Sequence, residues 1–496
     1  MIRLLRMRSK SPAASFAPPT PRERADISST PYRTIWRLAW PQILMTLAHF
    51  LIGAVDVWTA GRMDASVQAS LGQITQLVMF FLIIAIATAN GAVAAISQSV
   101  GAGKWHRVRR YVGLCLELSL AFGLLILAAG LLAKEPLLSA LNTPESIRPV
   151  TSYFLDIYVL VLPSHFLLLI TNAIYRAQKQ VLQPLYCMIL VTGLNTVADL
   201  GLGLGYWGLP VLGYQGLAWA TFGSVSLGAV FNLVQLARGG MLRRESFAPW
   251  RWVRKAAPYL FKVAWPVALM SSVWNLSYLV IFSLTGAIPS GGETALAGLT
   301  VGNRIEAILF LPAMAFNFTA SILVGHFLGA GDSRTAKAFG WRIALIGTAA
   351  ISVMALVCWH YVGEVTTFFA ADHVVAAEAV GYLRWNLLSS PFTVVGMVLV
   401  GSLNGAGATL YNLWSLTISS WLVRIPLAWW LGYHVLGNAE GIWIGMFASQ
   451  VLQCMILAFL YQRRDWSRFS LYAQKKRKSK ELPNGPHPAT IRACKP

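Results

Sequence analysis

The chain has 496 residues, of which 56% are hydrophobic and only 12% are charged, and its mean hydropathy is +0.58. This composition excludes an ordinary soluble protein and predicts a polytopic membrane protein. The net charge of +21 would suggest nucleic-acid binding in a soluble chain. Here the lysines and arginines fall almost entirely between and beyond the apolar segments, so no nucleic acid is expected as a partner. The five cysteines show no CxxC spacing, and neither a disulfide framework nor a cysteine metal site is expected.

Twelve apolar segments follow one another along the chain, and each is long enough to cross a bilayer as a helix. The sequence therefore predicts an all-α polytopic membrane protein with twelve transmembrane helices. The segments cover residues 36–60, 72–98, 111–133, 152–175, 184–206, 215–237, 261–287, 296–325, 341–362, 379–403, 412–434 and 440–461.

The positions of the basic residues predict the orientation of these helices. Apart from Arg304, Arg384 and Arg424, which lie deeper within the segments, lysine and arginine lie in both tails, in every second loop and at the segment ends next to them. Only Arg62, Lys134 and Arg148 fall in the other loops. By the positive-inside rule both termini are cytoplasmic, and we expect a multi-pass protein of the inner (plasma) membrane. Residues 1–33 and 463–496 are predicted to be basic cytoplasmic tails.

The two halves of the sequence repeat each other. Leu38-Ala39-Trp40-Pro41 recurs as Val263-Ala264-Trp265-Pro266, and Gly101-Ala102-Gly103 recurs as Gly329-Ala330-Gly331. Six helices per half is an even number, so the two halves enter the membrane with the same orientation and form parallel repeats. We predict two pseudo-symmetric six-helix bundles, over residues 34–238 and 261–462, joined by a cytoplasmic linker over residues 239–260.

The first apolar segment carries a carboxylate at depth, Asp56. Such an acid costs roughly 2.5–3.5 kcal/mol on insertion scales, so it normally marks an ion, proton or substrate site. The fifth segment carries Asn195 and Asp199, which are four residues apart and share one face of a helix. The sixth segment adds the hydroxyl of Thr221. An alternative role for Asp199 is to cap the end of its helix, because three glycines follow within six residues.

These four side chains would form an oxygen-rich shell that suits a hard cation such as sodium and can equally hold a shared proton. Two neighbouring carboxylates in a low dielectric cannot both stay ionised without a cation. We therefore predict a cation-coupling site, with a possible sodium ion as ligand, at Asp56, Asn195, Asp199 and Thr221. The choice between a proton and sodium stays open.

Five motifs and the internal repeat together carry a family resemblance. They are Trp40-Pro41, Asp56, the Gly101-Ala102-Gly103-Lys104 loop, Gly329-Ala330-Gly331-Asp332 and Asn303-Arg304-Ile305-Glu306, together with the repeat itself. Over residues 34–465 the sequence resembles the multidrug and toxic compound extrusion (MATE) family. Because the fifth segment carries Asn195-Thr196-Val197-Ala198-Asp199, it is most similar to the subtype named for the DNA-damage-inducible protein F.

The resemblance implies a secondary active efflux transporter. In such proteins entry of protons or sodium drives export of drugs by alternating access, without a cofactor. The resemblance also implies that helix 1 bends on ion binding. Pro41, which lacks an amide hydrogen, is the expected hinge. It further implies a role near the ion site for Asn172.

Asn172, His49 and Glu306 are candidate substrate-binding residues. His49 precedes Asp56 by seven residues on the same helix face, where a proton relay, a drug contact or an ordinary interhelical histidine are the alternatives. Buried acids with abundant aromatic and methionine side chains favour amphipathic, cationic drugs or metabolites as cargo. We expect a monomer whose partners are small organic molecules and the lipid bilayer.

A flippase and an enzyme are the two other classes of protein that the sequence bears on. A flippase for a lipid-linked precursor would share the helix number and the repeat, and its cavity should be cationic. Arg304, Arg384 and Arg424 in the second half keep this alternative open. An enzyme is not expected, because no HExxH, GxSxG or paired His/Asp motif is present.

Overall fold

The computed structural model describes residues 30–289, 291–370 and 372–472, so most of each predicted tail lies outside the described residues. No strand occurs in this part of the chain. Two short helices, Lys134–Ala140 and Val362–Phe369, precede α4 and α10. The long helices are α1 Pro31–Met63, α2 Ala65–Gly101, α3 Trp105–Leu132, α4 Arg148–Ala177, α5 Leu182–Gly203, α6 Tyr214–Arg238, α7 Trp250–Gly286, α8 Gly292–Gly329, α9 Ser333–His360, α10 His373–Ala406, α11 409–435 and α12 Ala439–Arg463.

Eleven of the long helices in the described residues are long and apolar enough to cross a membrane. The other one, α11, is interrupted because its turns widen to the π form at Ile418–Arg424 and again at Leu431–Val435. The fifth helix of the first half, α5, widens in the same way at Asp199–Gly203. The prediction of an all-α protein with twelve transmembrane helices in two bundles is confirmed.

The first lobe consists of α1–α6 and the second of α7–α12. Leu71, Phe154 and Leu162 belong to the core of the first lobe, and Leu299 and Trp443 belong to that of the second. A further apolar cluster contains residues of both lobes, including Val100, Tyr259 and Phe316. The two bundles are therefore joined by a shared core as well as by the chain.

The connection between the lobes is shorter than the sequence predicted. The linker was expected over residues 239–260, but the chain is helical from Trp250 onward. Pro249 stands at the N-cap of α7, and the first turns of that helix carry Arg251, Arg254 and Lys255. Basic residues at the start of a helix hide its beginning from a search for apolar segments, so the sequence placed the helix start too late.

The lobes meet most closely where α2 and α8 end, which we call the Gly101 end. A Cβ atom on Gly101 would lie 2.0 Å from the backbone oxygen of His326, and one on Gly329 would lie 2.0 Å from that of Gln98. Only glycine permits this approach of two backbones. His326 Nε2 also lies 2.8 Å from the backbone oxygen of Ala177, in the other lobe.

The side chain of Gln98 forms hydrogen bonds to three other segments at this end. Gln98 Nε2 donates to the backbone oxygen of Gly405 (2.8 Å) and to the Tyr259 hydroxyl (3.0 Å). The backbone N–H of Leu471, beyond the last helix, donates to Gln98 Oε1 (2.8 Å). The seam between the lobes is thus closed by direct hydrogen bonds at the Gly101 end.

A cavity of about 1200 Å³ lies between the lobes in the opposite half of the molecule. We call this the Asp64 end, because Asp64 separates α1 from α2 there. The cavity is lined by the second half of α1, the first half of α2 and parts of α4, α5, α6 and α8. The structure therefore has a closed Gly101 end and a large cavity toward the Asp64 end.

Gly101→Ala should lower the thermal unfolding midpoint of the detergent-purified protein. Its methyl group would meet a backbone carbonyl, and overpacking of this kind costs about 1–3 kcal/mol. Gly72→Ala is the matched control, because it lies on the same helix and a Cβ there meets nothing within 4 Å. Equal midpoints for the two variants would contradict the close contact at the Gly101 end.

Candidate functional site

The predicted carboxylates of α1 and α5 lie side by side in the first lobe. Asp56 is on the second half of α1, and Asp199 begins the widened turn of α5. Widened π turns are frequent at functional sites, because they turn one side chain away from the regular helical position. Asp199 is fully buried and Asp56 is 8% exposed, on the wall of the large cavity.

One amide group holds both acids. Asn195 Nδ2 donates to Asp56 Oδ1 (2.7 Å) and to Asp199 Oδ2 (2.5 Å), so both of its hydrogens are used. On the other side, the Ser224 hydroxyl of α6 donates to Asn195 Oδ1 (2.9 Å). This chain of hydrogen bonds runs from α6 through α5 to α1 and fixes which side of the amide faces the acids.

The two carboxyl groups lack a basic partner. Within the described residues the ion pairs are Arg109–Glu245, Lys134–Asp156 and Arg148–Glu135, all at the surface. The Asp56 and Asp199 carboxyl groups accept from the same Asn195 nitrogen, which makes them neighbours, and Asp199 Oδ1 is buried without a hydrogen-bond partner. Two neighbouring carboxyl groups in a low dielectric cannot both stay ionised without a cation, so one of them holds a proton or both share a bound cation. The arrangement can therefore bind and release one positive charge next to the cavity.

Thr221, the fourth predicted member of the site, has other partners. Its hydroxyl donates to the backbone oxygen of Leu217 (3.3 Å) and lies 3.5 Å from the Tyr158 hydroxyl. Ser224, one turn further along α6, is the residue that contacts Asn195. Sequence reasoning missed Ser224, although its place three residues after Thr221 puts it on the same face of the helix.

The other predicted residues lie in three different places. His49 lines the large cavity together with His165. Asn172 is buried away from the acids, where its Oδ1 accepts from Asn232 (2.8 Å), and it lines a second, smaller cavity. Pro41 is buried within α1, which continues as one helix from Pro31 to Met63.

Glu306 belongs to a polar cluster inside the second lobe rather than to the large cavity. Its carboxylate accepts hydrogen bonds from the Tyr382 hydroxyl and the Asn386 amide, both on α10. Arg424 of the same lobe is fully buried, with its guanidinium carbon 5.1 Å from the centroid of Trp274 and its Nε donating to Ser449 (2.8 Å). The second lobe thus contains a half-buried carboxylate with two donors and a separate, fully buried guanidinium.

The geometry of the described residues includes no group of three or more His, Cys, Asp or Glu side chains that could hold a metal ion. A site with two acids, an amide and a hydroxyl suits a proton or an alkali cation instead.

Residues 41–200 and 266–430 match the sequence profile of the MatE family, one stretch in each lobe. The chain belongs to the MatE family. As a MatE transporter it is a membrane protein that moves small molecules, and it is not an enzyme. The family profile agrees with the twelve helices and the two bundles described above.

Relatives and solved structures of MatE proteins cover nearly the whole chain. The multidrug resistance protein NorM of Burkholderia vietnamiensis is 27% identical over 445 residues, which are 87% of this chain and 94% of that protein. A probable NorM of Bradyrhizobium diazoefficiens is 26% identical over 445 residues, with 86% and 92% covered. A crystal structure of a variant of the Vibrio cholerae MATE transporter VcmN superposes with a TM-score of 0.80 at 20% identity, covering 88% of this chain and 98% of that one. Both relatives are named as multidrug resistance proteins, one of them as a probable one, and the solved structure confirms the fold.

Ser224→Ala should destabilise the purified protein by about 1–3 kcal/mol, because Asn195 Oδ1 would lose its donor while it stays buried. Thr221→Val is the matched control on the same helix. It should cost much less, since its hydroxyl mainly bonds to a carbonyl of its own helix. Thermal unfolding midpoints of the two variants test this difference, and a larger loss for Thr221→Val would contradict the assignment of Ser224.

Proposed function

We propose that this MatE transporter exports amphipathic, cationic drugs or metabolites in exchange for an entering cation. The observation that carries the proposal is the pair of buried carboxyl groups without a basic partner, of which Asp56 borders the large cavity. A charge bound there changes the potential of the cavity wall, so cation and cargo compete for one carboxylate. Such competition is the coupling that antiport requires.

The proposed coupling ion is a proton, with sodium as the alternative. Asn195 presents its amide nitrogen to both carboxyl groups, and its oxygen accepts from Ser224. A proton shared between Asp56 and Asp199 fits this donor arrangement. A sodium ion needs oxygen ligands, so the Asn195 amide would have to turn over to present its oxygen, and its two hydrogen bonds to the acids would be lost.

The proposed transport cycle alternates between the two ends of the seam. The charge distribution supports a cytoplasmic Gly101 end and cytoplasmic termini in the inner (plasma) membrane. In this interpretation the present conformation is open toward the outside and closed toward the cytoplasm. Neutralisation of Asp56 alters its bond to α5, and α1 bends at Pro41, where the helix lacks one backbone hydrogen bond.

Several finer proposals accompany this mechanism. Asp56 is the one carboxylate among the described residues that line the large cavity, which supports cationic cargo. His49, Asn172 and Glu306 remain proposed substrate contacts, and the first two of them line cavities between the lobes. The subtype of DNA-damage-inducible protein F and the monomeric state remain predictions from the sequence.

A flippase for a lipid-linked precursor remains the second candidate. Arg62 and Arg304 line the large cavity, and guanidinium groups suit the phosphates of such a molecule. Arg384 and Arg424 do not add to this wall, since neither lines that cavity.

Asp56→Asn should lower gradient-driven uptake of a cationic dye such as ethidium into proteoliposomes at least tenfold. A tenfold change corresponds to about 1.4 kcal/mol of coupling between cation and cargo. Separate pH and sodium gradients identify the coupling ion. Glu117→Gln is the control, because this acid of α3 is exposed and takes part in none of the described ion pairs.

Wild-type uptake by the Asp56→Asn protein at equal reconstitution would contradict the mechanism. If neither gradient drives uptake by the unaltered protein while a lipid-linked pyrophosphate analogue crosses, the flippase is the better function.

A further inference from the structure

A second cavity of about 330 Å³ lies between the lobes, closer to the Gly101 end than the large cavity. His49, Phe50 and Met188 line both cavities, so the smaller one is the inner continuation of the larger. Its walls are mainly apolar, with Met45 on α1 and Met314 on α8 facing the same space. A molecule that enters the large cavity can therefore reach inward to this chamber.

An arginine without a counter-charge borders the chamber. Arg176, in the last turn of α4, places its guanidinium carbon 4.4 Å from the ring centroid of Phe318 on the other lobe. Within the described residues the guanidinium forms neither an ion pair nor a hydrogen bond. None of the described residues lining the chamber is an aspartate or glutamate. Stacking on a ring face leaves the N–H groups at the edge of the guanidinium available.

Two further residues with a hydrogen-bond donor line the same chamber, Ser321 on α8 and Asn172 on α4. Ser321 is 4% exposed, and its hydroxyl has no hydrogen-bond partner. Asn172 is also 4% exposed, and because its Oδ1 accepts from Asn232, it is left with Nδ2 as a donor. Buried polar groups without partners are rare in native structures and call for an explanation.

A purely local role does not account for this arrangement. A cation in the last turn of a helix interacts favourably with the helix dipole, which would explain an arginine at this position. It does not explain why Ser321, which comes from the other lobe, is left without a partner beside the same chamber. Three residues with donor groups line this chamber, and none of the described residues that line it is an aspartate or glutamate.

We propose that this chamber is a subsite for an anionic group, such as a carboxylate or sulfonate, on an amphipathic aromatic molecule. The anion would accept hydrogen bonds from Arg176, Asn172 and Ser321, and the apolar body would lie against Met45 and Met314. The proposal rests on the proposed export function and extends its cargo to molecules that carry a negative group as well as a positive one. Because the donors come from both lobes, the subsite is complete only while the Gly101 end is closed.

The test is equilibrium binding to the purified full-length protein, so it does not depend on transport. The probes are 2-naphthoate and its uncharged analogue 2-naphthamide, measured by calorimetry. Arg176→Gln should weaken binding of 2-naphthoate about tenfold to a hundredfold, which is the range expected for a lost charged hydrogen bond, and should leave 2-naphthamide unchanged. Ser321→Ala should weaken 2-naphthoate several-fold and serves as a second variant if Arg176→Gln does not fold.

Arg342→Gln is the matched control, since that arginine also lies over a ring, Phe339 at 5.6 Å, but is exposed and lines neither cavity.

Repeating the measurement in phosphatidylcholine and phosphatidylglycerol nanodiscs separates two sources of the anion. Weaker naphthoate binding in phosphatidylglycerol would support the subsite with a lipid headgroup as its occupant, and equal binding would support a soluble anion. Unchanged 2-naphthoate affinity in both Arg176→Gln and Ser321→Ala would overturn the proposal. Because binding needs no gradient, a failure of the antiport mechanism would appear only in the liposome experiment.

Discussion

Two buried carboxyl groups that share one amide are the constraint on which the first lobe depends. Among the described residues neither Asp56 nor Asp199 has a basic partner, and Asp199 Oδ1 is buried without a hydrogen-bond partner. The contact joins α1, α5 and, through Ser224, α6. A change of charge at this point is therefore felt by three helices at once, and one of them forms the wall of the large cavity.

The second lobe has a different side chain, an arginine, at the position that corresponds to Asn195. Arg424 stands at the repeat position of Asn195, and each bonds to a serine of the last helix of its lobe, Ser449 and Ser224 respectively. The side chain of Arg424 supplies a buried positive charge that is covalently part of the second lobe. The first lobe instead has an amide between two carboxyl groups at this place, so the two lobes differ in charge at equivalent positions.

Much of this could be predicted from the sequence, and the reasons are physical. Long apolar segments form helices in a bilayer, and an acid at depth normally faces protein. The positions of the helices and the site at Asp56 could therefore be predicted from the sequence. Asn195 and Asp199 followed from helical spacing. Ser224, Arg176 and the partners of Thr221 could not be predicted, since they depend on how far each helix is rotated and how the lobes meet. The start of α7 was placed late because its first turns are basic.

The hydrogen bond from Leu471 to Gln98 places the last described residues of the chain within the seam itself. Trp466, between α12 and that bond, is buried against Tyr461, and Tyr472 lies beneath Lys104 at 4.7 Å. The residues that follow α12 therefore contribute contacts that hold the Gly101 end closed. A protein shortened to the end of α12 would keep every transmembrane helix but would lose the hydrogen bond from Leu471 to Gln98. The closed seam at the Gly101 end thus depends partly on residues that follow the last membrane helix.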